Sequence, residues 1–143
     1  MRKGFTIIEL LLVIALMAVA SVIAIPAYID FQSRNDIDTA EVTFAQSVRR
    51  AQQLSMAVDS DTNWGVIAQS GQITIYKGSS YVSRDVNFDE NFDLSSAITP
   101  SGTTEYNFSK VFGVPGSAGT VTFTGNNSEQ RTVNVNAKGV VNY

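Results

Sequence analysis

The chain has 143 residues, with 10 Lys and Arg against 13 Asp and Glu, for a formal charge of −3. It contains neither Cys nor His, which excludes disulfides, thiol nucleophiles, imidazole bases and the usual zinc ligands. The length suits one modest core plus an anchor, and removal of Arg2 and Lys3 leaves 8 basic residues against 13 acidic ones, no footprint for nucleic acid.

The first predicted element is an apolar run from Phe5 to Ile25, interrupted only by Thr6, Glu9 and Ser21. As a helix it measures about 31 Å at 1.5 Å per residue, close to the roughly 30 Å hydrocarbon thickness of a bilayer. Arg2 and Lys3 stand before it, and basic flanks stay in the cytoplasm, so the rest of the chain is directed outward. Glu9 is the anomaly. A carboxylate at bilayer centre costs about 2.5–3.5 kcal/mol, and an intramembrane acid points to a partner. A secretory signal peptide cut between Ala20 and Ser21, after Ala18-Val19-Ala20, is one reading of the run. A plain single-pass anchor is another. Neither gives Glu9 a purpose.

The stretch "KGFTIIELLLVIALMAVASV" resembles the leader and N-terminal helix of type IV pilins and type II secretion pseudopilins. The resemblance implies cleavage after Gly4 by a prepilin peptidase and methylation of the new N-terminus at Phe5. It also implies that the amine at Phe5 of one subunit pairs with Glu9 of its neighbour. In low dielectric such a pair is strongly attractive, which sets the register between stacked helices. The implied partners are the peptidase, other pilin or pseudopilin subunits and the inner-membrane assembly machinery. The implied location is the cytoplasmic membrane, single-pass with the head outside, then a periplasmic or extracellular filament. The expected organisation is a leader over 1–4, a transmembrane and filament-core helix over 5–28, and a head over 29–143.

Pro26 closes the apolar run, where it either bends or loosens the helix or marks its end at the membrane boundary. The resemblance favours a kink there. Beyond it the pattern becomes striped: Ile37, Ala40, Phe44, Val48, Ala51, Leu54 and Val58 recur at helical spacing. This predicts a helix to about residue 57 with one apolar face for a partner layer. Arg49 and Arg50 read as a solvated face.

From Trp64 the period becomes twofold. "GVIA", "QITIY", "YNFSKVF", "TVTFT" and "TVNV" read as short strands followed by "GVVNY", separated by turn clusters including "KGSS", "TPSG" and "VPGSAG". Ile73 and Ile75 should face one way, Thr74 and Tyr76 the other; Val121 with Phe123 and Val133 with Val135 should share faces. The fold class is therefore α+β: a long N-terminal helix whose C-terminal half packs on one or two antiparallel sheets. The head, through "SVRRAQQLSM", "NWGVIAQSGQITIYKGSSY" and "RTVNVNAKGVVNY", resembles H-type minor pseudopilins, which implies a role at a secretion filament tip.

Two acidic stretches invite a chemical reading. "DSDTNWG" has Asp59, Asp61 and Asn63 at alternating positions, but Trp64 and Ser70 stand where an EF-hand needs Gly and Glu. It reads as a polar turn, with a looser calcium site as the rival. "RDVNFDENFD" reads as an exposed acidic loop pinned by Phe88 and Phe92. Asn107 and Asn126 stand in glycosylation-type triplets, which arise readily by chance. No triad, nucleophile elbow or phosphate loop is present, so no enzyme and no cofactor are expected. Binding of DNA by the head would need a cationic surface, yet the last 33 residues carry only Arg131 and Lys138 as basic side chains.

Overall fold

The computed structural model describes residues 4–143; the expectations for Arg2 and Lys3 lie outside them. One helix, α1, runs for 50 residues over Ile7–Met56. Thr6 caps it in extended conformation, its Oγ1 accepting the Glu9 N–H at 3.3 Å. Pro26 lies inside this helix, so the alternative that the helix ends there is corrected. A proline removes one intrahelical bond, and Ala24 and Ala27, strong helix formers, stand close on either side of it.

The striped half of α1 buries the predicted face. Ile37, Ala40, Phe44, Val48 and Ala51 are fully enclosed, joined by Ala45 and by the hydroxyls of Ser47 and Ser55. Eight strands follow: β1 Trp64–Gln69, β2 Gln72–Lys77, β3 Asp85–Asp93, β4 Thr99–Gly102, β5 Glu105–Phe108, β6 Gly119–Thr124, β7 Gln130–Val135 and β8 Val141–Asn142. They form two four-stranded antiparallel sheets, ordered β3-β2-β1-β5 and β4-β6-β7-β8. Phe44 joins them: its ring lies 6.1 Å from Tyr106 on β5 and 5.5 Å from Phe123 on β6. The core is thus a helix face clasped by two sheets, an α+β arrangement.

Three stretches depart from the strand pattern read above. "RDVNFDENFD" is not a loop but β3, paired to β2 from Gln72↔Asp93 to Lys77↔Asp85. Its outer edge meets water, and so many acids on it hide the twofold pattern. "TPSG" is not a turn but β4, held against β6 by Thr99↔Thr124 through Gly102↔Val121. "YNFSKVF" stops being a strand at Phe108, because the chain turns sharply through Lys110–Gly113. In β2 Thr74 and Tyr76 are also buried, so this strand is covered on both faces. The outer cover comes from the 78–84 segment: Tyr81 packs edge-on to Tyr76 at 5.7 Å, and Arg84 stacks over Tyr81. Glu105 anchors that cover, accepting the Tyr76 hydroxyl at 2.6 Å and the Tyr81 N–H at 2.8 Å. Burial, then this hydrogen bond, holds the Tyr76 phenol far above its ordinary range.

Ser55 seals the helix end. Its buried Oγ accepts the Trp64 N–H at 2.8 Å and donates to the Phe108 carbonyl at 3.1 Å, linking α1 to β1 and β5. Ser55→Ala strands the Trp64 amide without a partner and should cost about 1–3 kcal/mol, read by thermal unfolding of the full chain in detergent. An unchanged melting temperature would mean that water replaces the hydroxyl.

Candidate functional site

The surface that distinguishes this chain is the first half of α1. Every described side chain from Phe5 to Gln32 is exposed, including Ile8 at 74% and Val22 at 73%. The helix contains a window apolar enough to cross a membrane, none of it buried within the chain. This surface is too large and too apolar to be left in water, so lipid or other helices must cover it.

Glu9 sits on that surface. Among the described residues no cation lies within ion-pair distance of its carboxylate. The structure adds a local role: Thr6 and Glu9 occupy the N-cap and third helical positions, and the Thr6 half of a capping box is formed. The "TIIE" spacing carried that signal, and the reading by membrane cost passed over it. An acid in the first turn also favours the positive helix end. Phe5, four residues away, precedes the helix and is 80% exposed. Gly4 lies on the extended approach to the helix with no atom crowding it.

The acidic stretches hold cations of the chain itself. Lys110 Nζ sits 2.9 Å from Asp61 Oδ1 and 3.5 Å from the Asp61 carbonyl, while Trp64 Nε1 donates to the Asp59 carbonyl. On β3, Arg84 pairs with Asp89 at 2.8 Å and Arg50 with Glu90 at 2.7 Å. Among the described residues no cluster of three or more metal-ligating side chains forms. Arg50, read from sequence as merely solvated, thus fastens α1 to β3.

A second network fastens the base of the head. Glu129 meets Arg34 at 3.5 Å and Arg131 at 3.1 Å, and Arg131 reaches Asp38 at 2.8 Å. Desolvation pushes the Glu129 carboxyl up. Hydrogen bonds from Asn127 and Arg131, with the charges of Arg34 and Arg131, outweigh that and bring it below the usual range. A depressed carboxylate contributes stability above its unfolded pKa, and that contribution is lost as pH falls through the folded value. Glu129→Gln should therefore lower the melting temperature at neutral pH, with the gap closing on acidification; a gap independent of pH would contradict the ionic origin.

The described residues form a long exposed apolar helix carrying a two-sheet head. Comparison with known proteins agrees. Residues 1–25 match the prokaryotic N-terminal methylation motif. A fimbrial protein of Pseudomonas aeruginosa is 30% identical over 104 residues, 73% of this chain and 57% of that protein. The type IV major pilin protein PilE1 of Neisseria gonorrhoeae is 42% identical over 40 residues, 28% of this chain and 24% of its own. The chain thus spans little more than half the length of the Pseudomonas relative. In fold it is similar to the minor pseudopilin EpsH of the type 2 secretion system of Vibrio cholerae, with a TM-score of 0.55 and 11% identity over 75% of this chain and 94% of the other. In its N-terminal motif and over these segments the chain is similar to fimbrial and type IV pilin proteins, and in fold to a minor pseudopilin.

Proposed function

We propose that the chain is cut after Gly4, methylated at Phe5, held in the cytoplasmic membrane by residues 5–28, and then assembled into a type IV pilus or type II secretion pseudopilus. The observation that carries this is the Glu9 carboxylate, without a cation among the described residues, on a helix half that the head does not cover. In the membrane lipid covers that surface. In a filament neighbouring helices cover it, so the transfer is near balanced and a polar contact can direct it. The amine of Phe5 on an adjacent subunit supplies the missing cation. Pro26 serves as the point where the helix yields on packing. The partners are a prepilin peptidase, other pilin or pseudopilin subunits, and the membrane machinery that drives assembly; the 29–143 head lies outside the cytoplasm, in the periplasm or beyond.

Mass spectrometry of the N-terminal peptide from the native host tests the processing. A peptide beginning at Phe5 with one added methyl group is expected, whereas a start at Ser21 would overturn the filament reading. The likeness to EpsH favours a second possibility, a minor subunit at a secretion filament tip. Immunogold labelling separates the two: gold along the whole fibre indicates a body subunit, gold at one end a tip.

A further inference from the structure

The end of the head farthest from the exposed helix carries an unusual loop. Val111 holds φ +72°, a conformation that β-branched residues rarely adopt, and the Phe112 N–H donates to the Lys110 carbonyl at 2.9 Å across it. The turn is held from several sides: the Val111 N–H donates to the Ser55 carbonyl, the Lys110 N–H to Asn63 Oδ1, and Gln52 Nε2 to the Gly113 carbonyl. Strain persists only where surroundings enforce it, and it gathers at functional positions. Its product here is a stiffly presented aromatic, Phe112, 78% exposed beside exposed Val111, Val114 and Met56. Aromatic side chains, Phe among them, are enriched at protein interfaces.

The opposite end of the head has a cleft of about 410 Å³ where α1 meets the 95–98 and 125–127 segments. Ile29, Ala97 and Ile98 supply apolar lining, Ser33 and Asn127 polar lining, and Asp36 an acid. Asp30 and Asp36 at the cleft have no ion-pair partner among the described residues, whereas Arg34 there is paired with Glu129. Beside the Phe112 loop Lys110 is paired with Asp61, but Lys138, whose carbonyl shares Gln52 Nε2 with that of Gly113, has no ion-pair partner among the described residues.

We propose that Phe112 of one copy seats in this cleft of a second copy, with Lys138 approaching Asp36. The proposal rests on the filament-subunit reading and adds a head-to-tail contact to it. Ser33 and Met56, which packs against Gly113, are 23 residues apart on one helix. That is about 35 Å at 1.5 Å per residue, so loop and cleft of one chain cannot meet. The contact is heterologous, using different surfaces on the two copies, and such a contact builds an open helical filament when its rotation does not close a ring. It also joins neighbours farther apart along the fibre than those paired through Glu9.

The absence of native Cys makes the test clean. Full-length chain carrying Val114→Cys, which keeps Phe112, and Ser33→Cys together is expressed in the native host, and sheared filaments are oxidised. The expected result is a ladder of disulfide-linked multimers beyond the dimer, with neither single variant passing the dimer. Filaments with a methylated Phe5 but no ladder overturn the docking and leave the subunit reading standing. Filaments absent from the unaltered chain, with an N-terminus other than Phe5, overturn both. Should the cysteine pair itself block assembly, charge exchange decides: Asp36→Lys and Lys138→Glu each reduce filament yield severalfold, and the pair restores it. Yields unmoved by either single change, or not restored by the pair, overturn the contact.

Discussion

Glu9→Gln should insert into the membrane normally and be processed normally, while filament yield falls at least tenfold. Gln occupies the third position of a capping box as well as Glu does, and the Thr6 cap uses the residue 9 amide, so the helix start survives the change. What disappears is the charge. Two unit charges 4 Å apart at an effective dielectric near 20 interact by about 4 kcal/mol, and desolvation removes part of that. Each 1.4 kcal/mol left over is a factor of ten in the association constant, applied at every subunit added. Membrane fractionation and filament shearing, run on the same cultures, separate insertion from assembly. Normal filaments from the variant would sink the pairing with Phe5 and leave Glu9 a helix cap.

Phe44→Ala should cost about 3–5 kcal/mol of head stability, the usual range for removing a buried aromatic ring. Against a typical total of about 5–15 kcal/mol that loss is large. The position makes the upper end of the range the expected one. The ring is fully enclosed and touches Tyr106 from one sheet and Phe123 from the other, so its removal leaves a hole that neither sheet can close alone. Thermal unfolding in detergent, followed by near-ultraviolet circular dichroism of the Trp64 and Tyr environment, reads the effect. A loss below 1 kcal/mol would mean that the two sheets are not joined through this side chain.

The contrast between these two residues shows why parts of the protein are readable in sequence and parts are not. Phe44 belongs to a stripe with helical spacing, and the pattern names both its element and its buried face. Glu9 stands out because an acid in an apolar run is costly, whatever the fold. β3 offered no such cue: Asp85, Asp89, Glu90 and Asp93 suggest a solvated loop, and only pairing with β2 makes the stretch a strand. β4, "TPSG", is composed of turn formers and is extended only because β6 lies alongside. Arg50 looked solvated until β3 brought Glu90 within 2.7 Å. Ser55, one serine among several, becomes structural through partners nine and 53 residues away.

Local chemistry determined the elements whose signal is contained in a short window. The apolar run with Gly4, Phe5 and Glu9, the striped helix to Met56, and the central strands β1, β2, β6 and β7 follow from hydrophobic periodicity and the cost of burying charge, which act residue by residue. Tertiary structure alone decided that the strands divide into two sheets, that Thr74 and Tyr76 are covered on the outer face, and that Val111 is held in a strained turn displaying Phe112. These outcomes depend on which distant segments compete for the same backbone hydrogen bonds and the same apolar surface, and that competition is settled only when the whole chain is packed.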